Sequence, residues 1–317
     1  MTVWRSQQID QTPGVRPPPL AKPAAPGPAL EPPVPLDISL ATMQRLEQPS
    51  FSANPWPDTK WTENDKPVLI VDGVLHHVKS LPASVSGHAG YGVGLKDRDL
   101  ASLASHVDVE VLHLYEMGAR DLVVLHGMAR LRHLKIHWNT KLTDLSGISG
   151  LSRLETLALI DTPKVRDLSP LEPLAHLAAL EYSGGIWSSQ HAISLEPVAR
   201  LPKLEELVLT NLKVESGGLR PLAHCKALKT LTLSNQFETE EYAYLSVALP
   251  DVECAAFRPW IRTSLPDGRD TMITGRRKPF LSSATDAARI AAYEEAFRKL
   301  QSRFEKELRG NTRAVEG

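Results

Sequence analysis

The sequence predicts an α/β solenoid of about seven stacked repeats, with a parallel sheet on the concave face, an N-terminal β-hairpin cap and a long C-terminal helix. Three observations predict it. Aliphatic residues return in one fixed pattern about every two dozen positions between residues 97 and 260. An Asp-Gly turn between two apolar runs stands directly before that region, and an apolar stripe at helical spacing follows it.

Residues 1–64 form a tail. Thirteen of the 25 prolines fall there, including Pro17-Pro18-Pro19 and Pro32-Pro33-Val34-Pro35. Proline fixes φ and removes a backbone donor, so the expectation is extended polyproline or disorder. Phe51 to Trp61 carries Trp56 and Trp61 beside Pro55 and Pro57. It reads either as a docking segment, with the chain's own solenoid as one acceptor, or as a linker with incidental aromatics.

Residues 65–96 form the cap and a lead-in loop. Val68-Leu69-Ile70-Val71, Asp72-Gly73 and Val74-Leu75-His76-His77-Val78 read as a hairpin, because Asp-Gly supplies the positive φ angles of a type I′ turn. Such a hairpin would cover the apolar end and open strand edge of the first repeat. Gly87-x-x-Gly90-x-Gly92-x-Gly94 reads as a turn-rich lead-in. It lacks both the Lys-Ser/Thr of a P-loop and the spacing of a dinucleotide fingerprint, so no cofactor is expected.

Residues 97–260 carry the decisive pattern. From an anchor at Leu154, leucine-type residues lie at minus nine, six and three (Leu145, Ile148, Leu151) and at plus three and five (Leu157, Leu159). The ladder recurs at Val109, Leu131, Leu177, Leu204, Leu228 and Val252, at spacings of 22, 23, 23, 27, 24 and 24 residues. In the first six copies 33 of 36 positions are Leu, Ile, Val or Met, the exceptions being His106, Tyr182 and Cys225. The seventh copy is degraded at Ala243, Ser246 and Ala255, as a capping repeat should be. Plus-three and plus-five alternate with polar or small residues, the period of a short strand. The steps of three before the anchor suit a single 3₁₀ or α turn. No repeat can bury its own leucines, but stacked copies share a core and line up their strands in a curved sheet about 30 Å across. That shape suits a protein surface better than a small molecule.

Leu151-x-x-Leu154-x-x-Leu157-x-Leu159-x-x-Thr162, followed by Asp167-Leu168-Ser169-Pro170-Leu171, resembles the short-repeat leucine-rich-repeat class of internalins and phosphatase-regulatory subunits. Asn139 stands at the family's asparagine-ladder position, whereas Thr162, Gly185, Leu212 and Gln236 depart from it. The resemblance covers residues 95 to 260, about half the chain. It implies a protein-binding scaffold without naming a partner, and phosphatase regulation is suggested by it alone.

Residues 261–317 hold the turn Leu265-Pro266-Asp267-Gly268, a short strand at Met272-Ile273-Thr274, and a capping box Ser283-Ala-Thr-Asp286 opening a helix that ends near Gly310. Ile290, Tyr293, Phe297, Leu300 and Phe304 form its stripe, expected to pack on the last repeat rather than on a partner. Glu294 with Arg298 and Glu295 with Lys299 are i,i+4 pairs on the other side.

Candidate function sits on the concave face, at residues two, four and six after each anchor. The first two strands concentrate His113, Tyr115, His133, Lys135 and His137, with Glu116 and Trp138 just beyond; later strands are small, acidic or hydroxylic, with Glu181 among them. Amphipathic aromatics favour binding hot spots, so the contact set is His113, Tyr115, Lys135, His137, Trp138 and Glu181. Trp187 joins it from the insertion, near Gly184 to His191, that lengthens the fourth spacing. The plainer alternative is a solvated sheet with scattered polar residues. No metal is expected: His133 and His137 lie four apart on a strand, about 13 Å, and His113 with His133 lacks a third ligand. His176 shares a convex-face slot with Arg130, and His224 one with Arg200, which is structural. Arg276-Arg277-Lys278 reads as a solvated basic turn.

Charge and composition narrow the classes. Lys plus Arg number 36 against 37 Asp plus Glu, which gives no net field for nucleic acid or membrane. No apolar run approaches a membrane span, and the N-terminus lacks a secretory layout. Two cysteines, Cys225 inward and Cys254 outward, give neither a disulfide framework nor a base-activated thiol. The expectation is a non-catalytic cytoplasmic protein that binds another protein, one version being neutralisation of a cognate toxin or effector. The rivals are a signal-less secreted effector and an enzyme whose active site lies outside the repeats.

Overall fold

A strand with one apolar face can bury it only if its neighbours present the same face in register, and a fixed repeat length supplies that register. The computed structural model describes residues 66–186 and 188–315. In chain order the strands are β1 (Val68–Val71), β2 (Val74–His77), β3 (Val85–Ser86), β4 (Ala89–Val93), β5 (Val107–Asp108), β6 (Val111–Tyr115), β7 (His133–His137), β8 (Thr156–Ile160), β9 (Ala179–Ser183), β10 (Gln190–Ala192), β11 (Glu206–Leu209), β12 (Leu212–Val214), β13 (Thr230–Leu233), β14 (Trp260–Arg262), β15 (Thr271–Ile273) and β16 (Phe280–Leu281). The principal helices are α1 (Asp97–His106), α2 (Thr239–Ala248) and α3 (Ala287–Val315).

The main sheet has nine strands in the order β13-β11-β9-β8-β7-β6-β4-β1-β2. From β4 to β13 every pairing is parallel, and β1 and β2 add antiparallel at the N-terminal end. The plus-three residues stack in register as Leu112, Leu134, Leu157, Leu180, Leu207 and Leu231. Every ladder residue of the first six copies is buried except His106 and Leu233, and these side chains form one continuous core. Single 3₁₀ turns such as Val123–Gly127 and Ser146–Gly150 carry the steps of three on the convex side. The hairpin cap is present, turning through Asp72 (φ 45°) and Gly73 (φ 83°).

The structure corrects the sequence reading in five places. The glycine-rich lead-in is not all turn, since Ala89–Val93 is a full strand of the main sheet paired with β1 and β6. Its glycines face the core, where a β-carbon on Gly92 would sit 2.6 Å from Leu95 Cδ1 and 3.0 Å from Leu114 Cδ2. Glycine stands there because the space is already filled, and the missing side chains hide the strand from a hydropathy pattern. The seventh copy forms no strand: one bridge, Thr230 to Glu253, and a 3₁₀ turn at Ala255–Phe257 end the sheet. Its small ladder residues have too little apolar area to bury.

The other three corrections concern α3: its cap, its end and one of its pairs. Ser283 does not cap it but bonds Asp270, while Asp286 directly precedes the helix and accepts from the Ser282 amide at 3.1 Å. The helix runs through Gly310 to Val315. Glu294 accepts from Trp260 Nε1 at 2.7 Å rather than pairing with Arg298, which reaches Glu295 instead. The predicted apolar stripe packs internally. Phe297 and Phe304 enter the repeat core, Phe304 lies 5.4 Å from the Tyr244 ring, and Ile290 joins Ile273 and Leu281. No helix among the described residues is long and apolar enough to cross a membrane.

A tight turn follows each strand, and its buried backbone groups need partners. Asn139 serves its turn by donating to Ala119 O at 2.9 Å while its Oδ1 accepts from the Lys141 and Leu142 amides. Where Thr162 replaces asparagine, Gln190 reaches in from the insertion. Its Oε1 accepts from the Thr162 amide, and its Nε2 donates to Thr162 O and Val165 O at 2.7 and 3.0 Å. Tyr182, the aromatic exception in the ladder, places its hydroxyl 2.6 Å from both Val165 O and His191 O. The insertion is therefore a structural graft, and β10 pairs with β12 in a small parallel sheet beside it.

Removing a stacked leucine leaves a cavity that its neighbours above and below cannot fill. Leu157→Ala is expected to lower unfolding free energy by about 2–5 kcal/mol, measured by urea denaturation. A loss below about 1 kcal/mol would show that the stack is not the main support of the fold.

Candidate functional site

The pleat that sends leucines inward sends the alternate residues onto the concave face, where the register orders them in rows. The middle row runs Tyr91, His113, Lys135, Ala158, Glu181, Val208 and Thr232. The row toward the strand exits runs Val93, Tyr115, His137, Ile160 and Ser183. The structure thus brings together five of the predicted contact residues on adjacent strands: His113, Tyr115, Lys135, His137 and Trp138. Glu181 lies two strands beyond Lys135, with only Ala158 between them. Trp187 lies outside the described residues.

The rings form a continuous chain from mid-face to rim. Tyr91 and His113 meet edge to face with centroids 4.8 Å apart, and the His113 and His137 planes are parallel within 2° at 6.5 Å. Tyr115 stands edge-on to His137 at 5.1 Å and lies 5.9 Å from Trp138. Spacings of this size are those at which aromatic pairs attract beyond simple burial. The sequence reading passed over Tyr91, although the alternation Ala-Gly-Tyr-Gly-Val was the signal that would have found it.

Burial sets the charge state of this patch. His113 is only 3% exposed, and burial, then Lys135 and His137, hold its ring well below the usual histidine range. Burial, helped by Lys135, brings His137 down to about 4. Burial raises the Glu181 carboxyl, against the pull of Lys135 and a Ser183 hydrogen bond. His133 is also lowered by burial, and its Nδ1 lies 3.0 Å from Thr156 Oγ1. At neutral pH the face therefore offers neutral imidazoles and phenols around the Lys135 ammonium. It can stack and hydrogen-bond, but it holds no thiol nucleophile. Burial pushes the Cys225 thiol up to about 12 and Cys254 to about 11, and both cysteines are free. Among the described residues no group of three His, Cys, Asp or Glu could hold a metal ion.

Trp138 is the outlier. The residue seven after the anchor, at or just past the strand end, turns left-handed in four repeats: Glu116 (φ 52°), Trp138 (φ 61°), Asp161 (φ 52°) and Asn211 (φ 47°). The fold imposes this conformation, because the first three of these amides continue the ladder, as Trp138 N does to Ile160 O at 2.9 Å, while Asn211 N donates to Ser234 Oγ at 3.1 Å. Asn and Asp tolerate the region, whereas bulky side chains cost about 1–2 kcal/mol there. The tryptophan gains little burial in return, since it is 44% exposed. In the next repeat but one, Gly184 and Gly185 begin the insertion, where β-carbons would collide with Asn211 O at 2.6 Å and with the Asp161 carboxyl at 2.3 Å. The loop is tied down by Asn211 Nδ2, which donates to Gly185 O and Ser188 O, and by a Ser188–Asp161 hydrogen bond. It presents Ile186 at 68% exposure on the same strand-exit side.

Parallel in-register leucines, one short turn per repeat and an asparagine serving the turn define the architecture. The fold is a leucine-rich-repeat solenoid. No family description and no curated protein matches the chain. Among solved structures it is similar to internalin C2 of Listeria monocytogenes at 23% identity, covering 52% of this chain and 69% of that one, with a TM-score of 0.40. Internalin F of the same organism is 22% identical, covering 57% of this chain and 50% of that one, with a TM-score of 0.41. A leucine-rich-repeat protein of Leptospira interrogans is 15% identical over 50% of each chain, with a TM-score of 0.28. This solenoid thus spans half to about two thirds of those chains.

The buried imidazoles make stability pH-dependent. His137 binds its proton less readily folded than unfolded, where its value is near 6.5, so stability is full above about 6.5 and falls as pH drops toward about 4. Between pH 7.5 and pH 5 the wild type should lose on the order of 1–2 kcal/mol more than His137→Gln. Denaturant midpoints at the two pH values measure this, and parallel losses would refute it.

Proposed function

We propose that this chain is a non-catalytic module that binds another protein, through the ring chain on β4, β6 and β7 and the rim beside it. His113, Tyr115, Lys135, His137 and Trp138 form the contact. Glu181 supplies an acidic partner group deeper on the face, and the expected contact at Trp187, outside the described residues, belongs to the same proposal. Neutralisation of a toxin or effector is one concrete form of this role, because a rigid scaffold gains affinity without ordering costs.

One observation carries the reading. A bulky indole occupies a left-handed position where asparagine would relieve the backbone, and it stays 44% exposed. Strain held at a side chain that packs on Tyr115 and is otherwise left half exposed points to contact with something else. Trp and Tyr are also the residues that dominate interface energetics.

The reading separates stability from binding at a single position. Trp138→Asn should raise unfolding free energy by about 1 kcal/mol, read by urea denaturation. The same substitution should weaken capture of the partner from native lysate about tenfold or more, and Tyr115→Ala with Trp138→Ala should weaken it further while leaving the melting temperature within a few degrees. Capture that survives both variants would move the interface elsewhere.

A further inference from the structure

The two rims of the solenoid handle charge in opposite ways. At the strand-entry rim, cations and carboxylates pair from one repeat to the next. Arg130 meets Asp108 at 3.2 Å and Glu110 at 2.9 Å, Arg132 meets Glu155 at 2.7 Å, and Lys229 meets Glu205 at 3.1 Å. The strand-exit rim instead carries a row without acidic members. There β10 and β12 lie in parallel register, with His191 opposite Lys213. His191 directly precedes the inward Ala192, as Lys141 and Lys164 precede Leu142 and Val165, and all three inward residues are fully buried. Lys141, Lys164, His191 and Lys213 therefore hold one outward position in four successive repeats, and the three lysines are exposed. At about 4.8 Å per repeat the row is roughly 14 Å long.

Like charges placed opposite one another on neighbouring strands oppose folding. Among the described residues none of the three lysines has an ion pair to offset this. The carboxylates nearest to them in sequence are committed elsewhere. Asp144 accepts from the Ser146 amide at 2.7 Å and from its hydroxyl at 2.9 Å, and Asp167 accepts from both groups of Ser169 at 2.9 Å. Asp161 accepts from Ser188, and Glu215 pairs with Arg166. The row costs the fold a little and returns no ion pair.

Its position supplies a use. The row starts three residues past Trp138, where Asn139 Oδ1 holds the Lys141 amide at 2.9 Å. Exposed Ile186 stands in the loop that leads into β10. A partner lying against the indole meets ammonium groups next. We infer that this row receives a carboxylate-rich segment of the partner protein, a step that rests on the proposed function for the place of contact. A protein segment fits the row better than a nucleic acid does. Asp144 and Asp167 are exposed just beyond it and would oppose a strand charged at every residue. A peptide can space its carboxylates to avoid them and set apolar side chains on Trp138 and Ile186. The chain's 36 basic against 37 acidic residues also give no long-range field to gather a polyanion.

Two measurements on the full-length chain test the row, the first without any ligand. Lys164→Glu puts a carboxylate between Lys141 and His191, so the urea midpoint should rise, by an amount that shrinks at least about twofold between about 0.02 M and about 0.5 M salt. An unchanged or lowered midpoint at low salt would remove the self-repulsion and overturn the inference. The binding probe is a fluorescein-labelled oligoglutamate of about eight residues, long enough to span the row when extended, followed by anisotropy at low salt. Lys141→Glu/Lys164→Glu/Lys213→Glu should weaken its binding about tenfold or more. Arg153→Glu/Lys226→Glu/Lys306→Glu, an equal change of net charge at other exposed positions, should weaken it less than about twofold. No saturable binding by the wild type, or equal losses in the two triple variants, would overturn the inference. Tighter binding of a single-stranded oligodeoxynucleotide of the same charge would also overturn it, in favour of nucleic acid. Failure of the proposed function looks different: partner capture would survive Tyr115→Ala with Trp138→Ala while oligoglutamate still distinguished the two triple variants, which supports the row and removes the ring chain from the interface.

Discussion

In-register stacking of inward leucines across a parallel ladder is the constraint on which the rest of the structure depends. Each repeat contributes too little apolar surface to fold by itself, and each is stable only because Leu112, Leu134, Leu157, Leu180, Leu207 and Leu231 lie one beside the next. The pleat that fixes this column also fixes the opposite face, because alternate residues have no other direction to point. The row Tyr91, His113, Lys135 on the concave side is thus set by the leucines behind it. The ends obey the same logic: the β1–β2 hairpin closes one, and α2 with the Phe297 and Phe304 side of α3 closes the other.

Local chemistry then departs from the repeat where the repeat leaves something unmet. A turn without its asparagine is served by Gln190, and the inward Tyr182 hydroxyl reaches Val165 O and His191 O. Both departures surround the insertion after β9, whose loop Asn211 and Ser188 anchor. Trp138 is a departure of another kind. The others satisfy the backbone, whereas this one burdens it, and its indole sits at the open rim with Tyr115 behind it.

Much of this was legible in the sequence because aliphatic periodicity is a direct image of burial. The anchors, the hairpin, the stripe of α3 and the strand positions of His113, Tyr115, Lys135 and His137 followed from spacing. Features carried by absent or distant side chains were not legible. The strand at Ala89–Val93 is masked by glycines that make room for Leu95 and Leu114, and Tyr91 was hidden with it. Gln190 serves a turn 28 residues away in sequence, a relation no local window can show. The start of α3 was misread because Ser283 found a partner in Asp270, across the turn, before it could cap the helix. Neither the left-handed backbone at Trp138 nor the burial of the concave face has a signature in composition or period.

The account rests on the ring-lined end of the concave sheet being where another protein is held. A crystal structure of the full-length chain with its captured partner tests that most directly. It should show Trp138 and Tyr115 buried against the partner at the strand-exit rim, with Lys135 or His137 hydrogen-bonded across the interface. A partner seated on the convex turns or along α3, with Trp138 still in solvent, would contradict it.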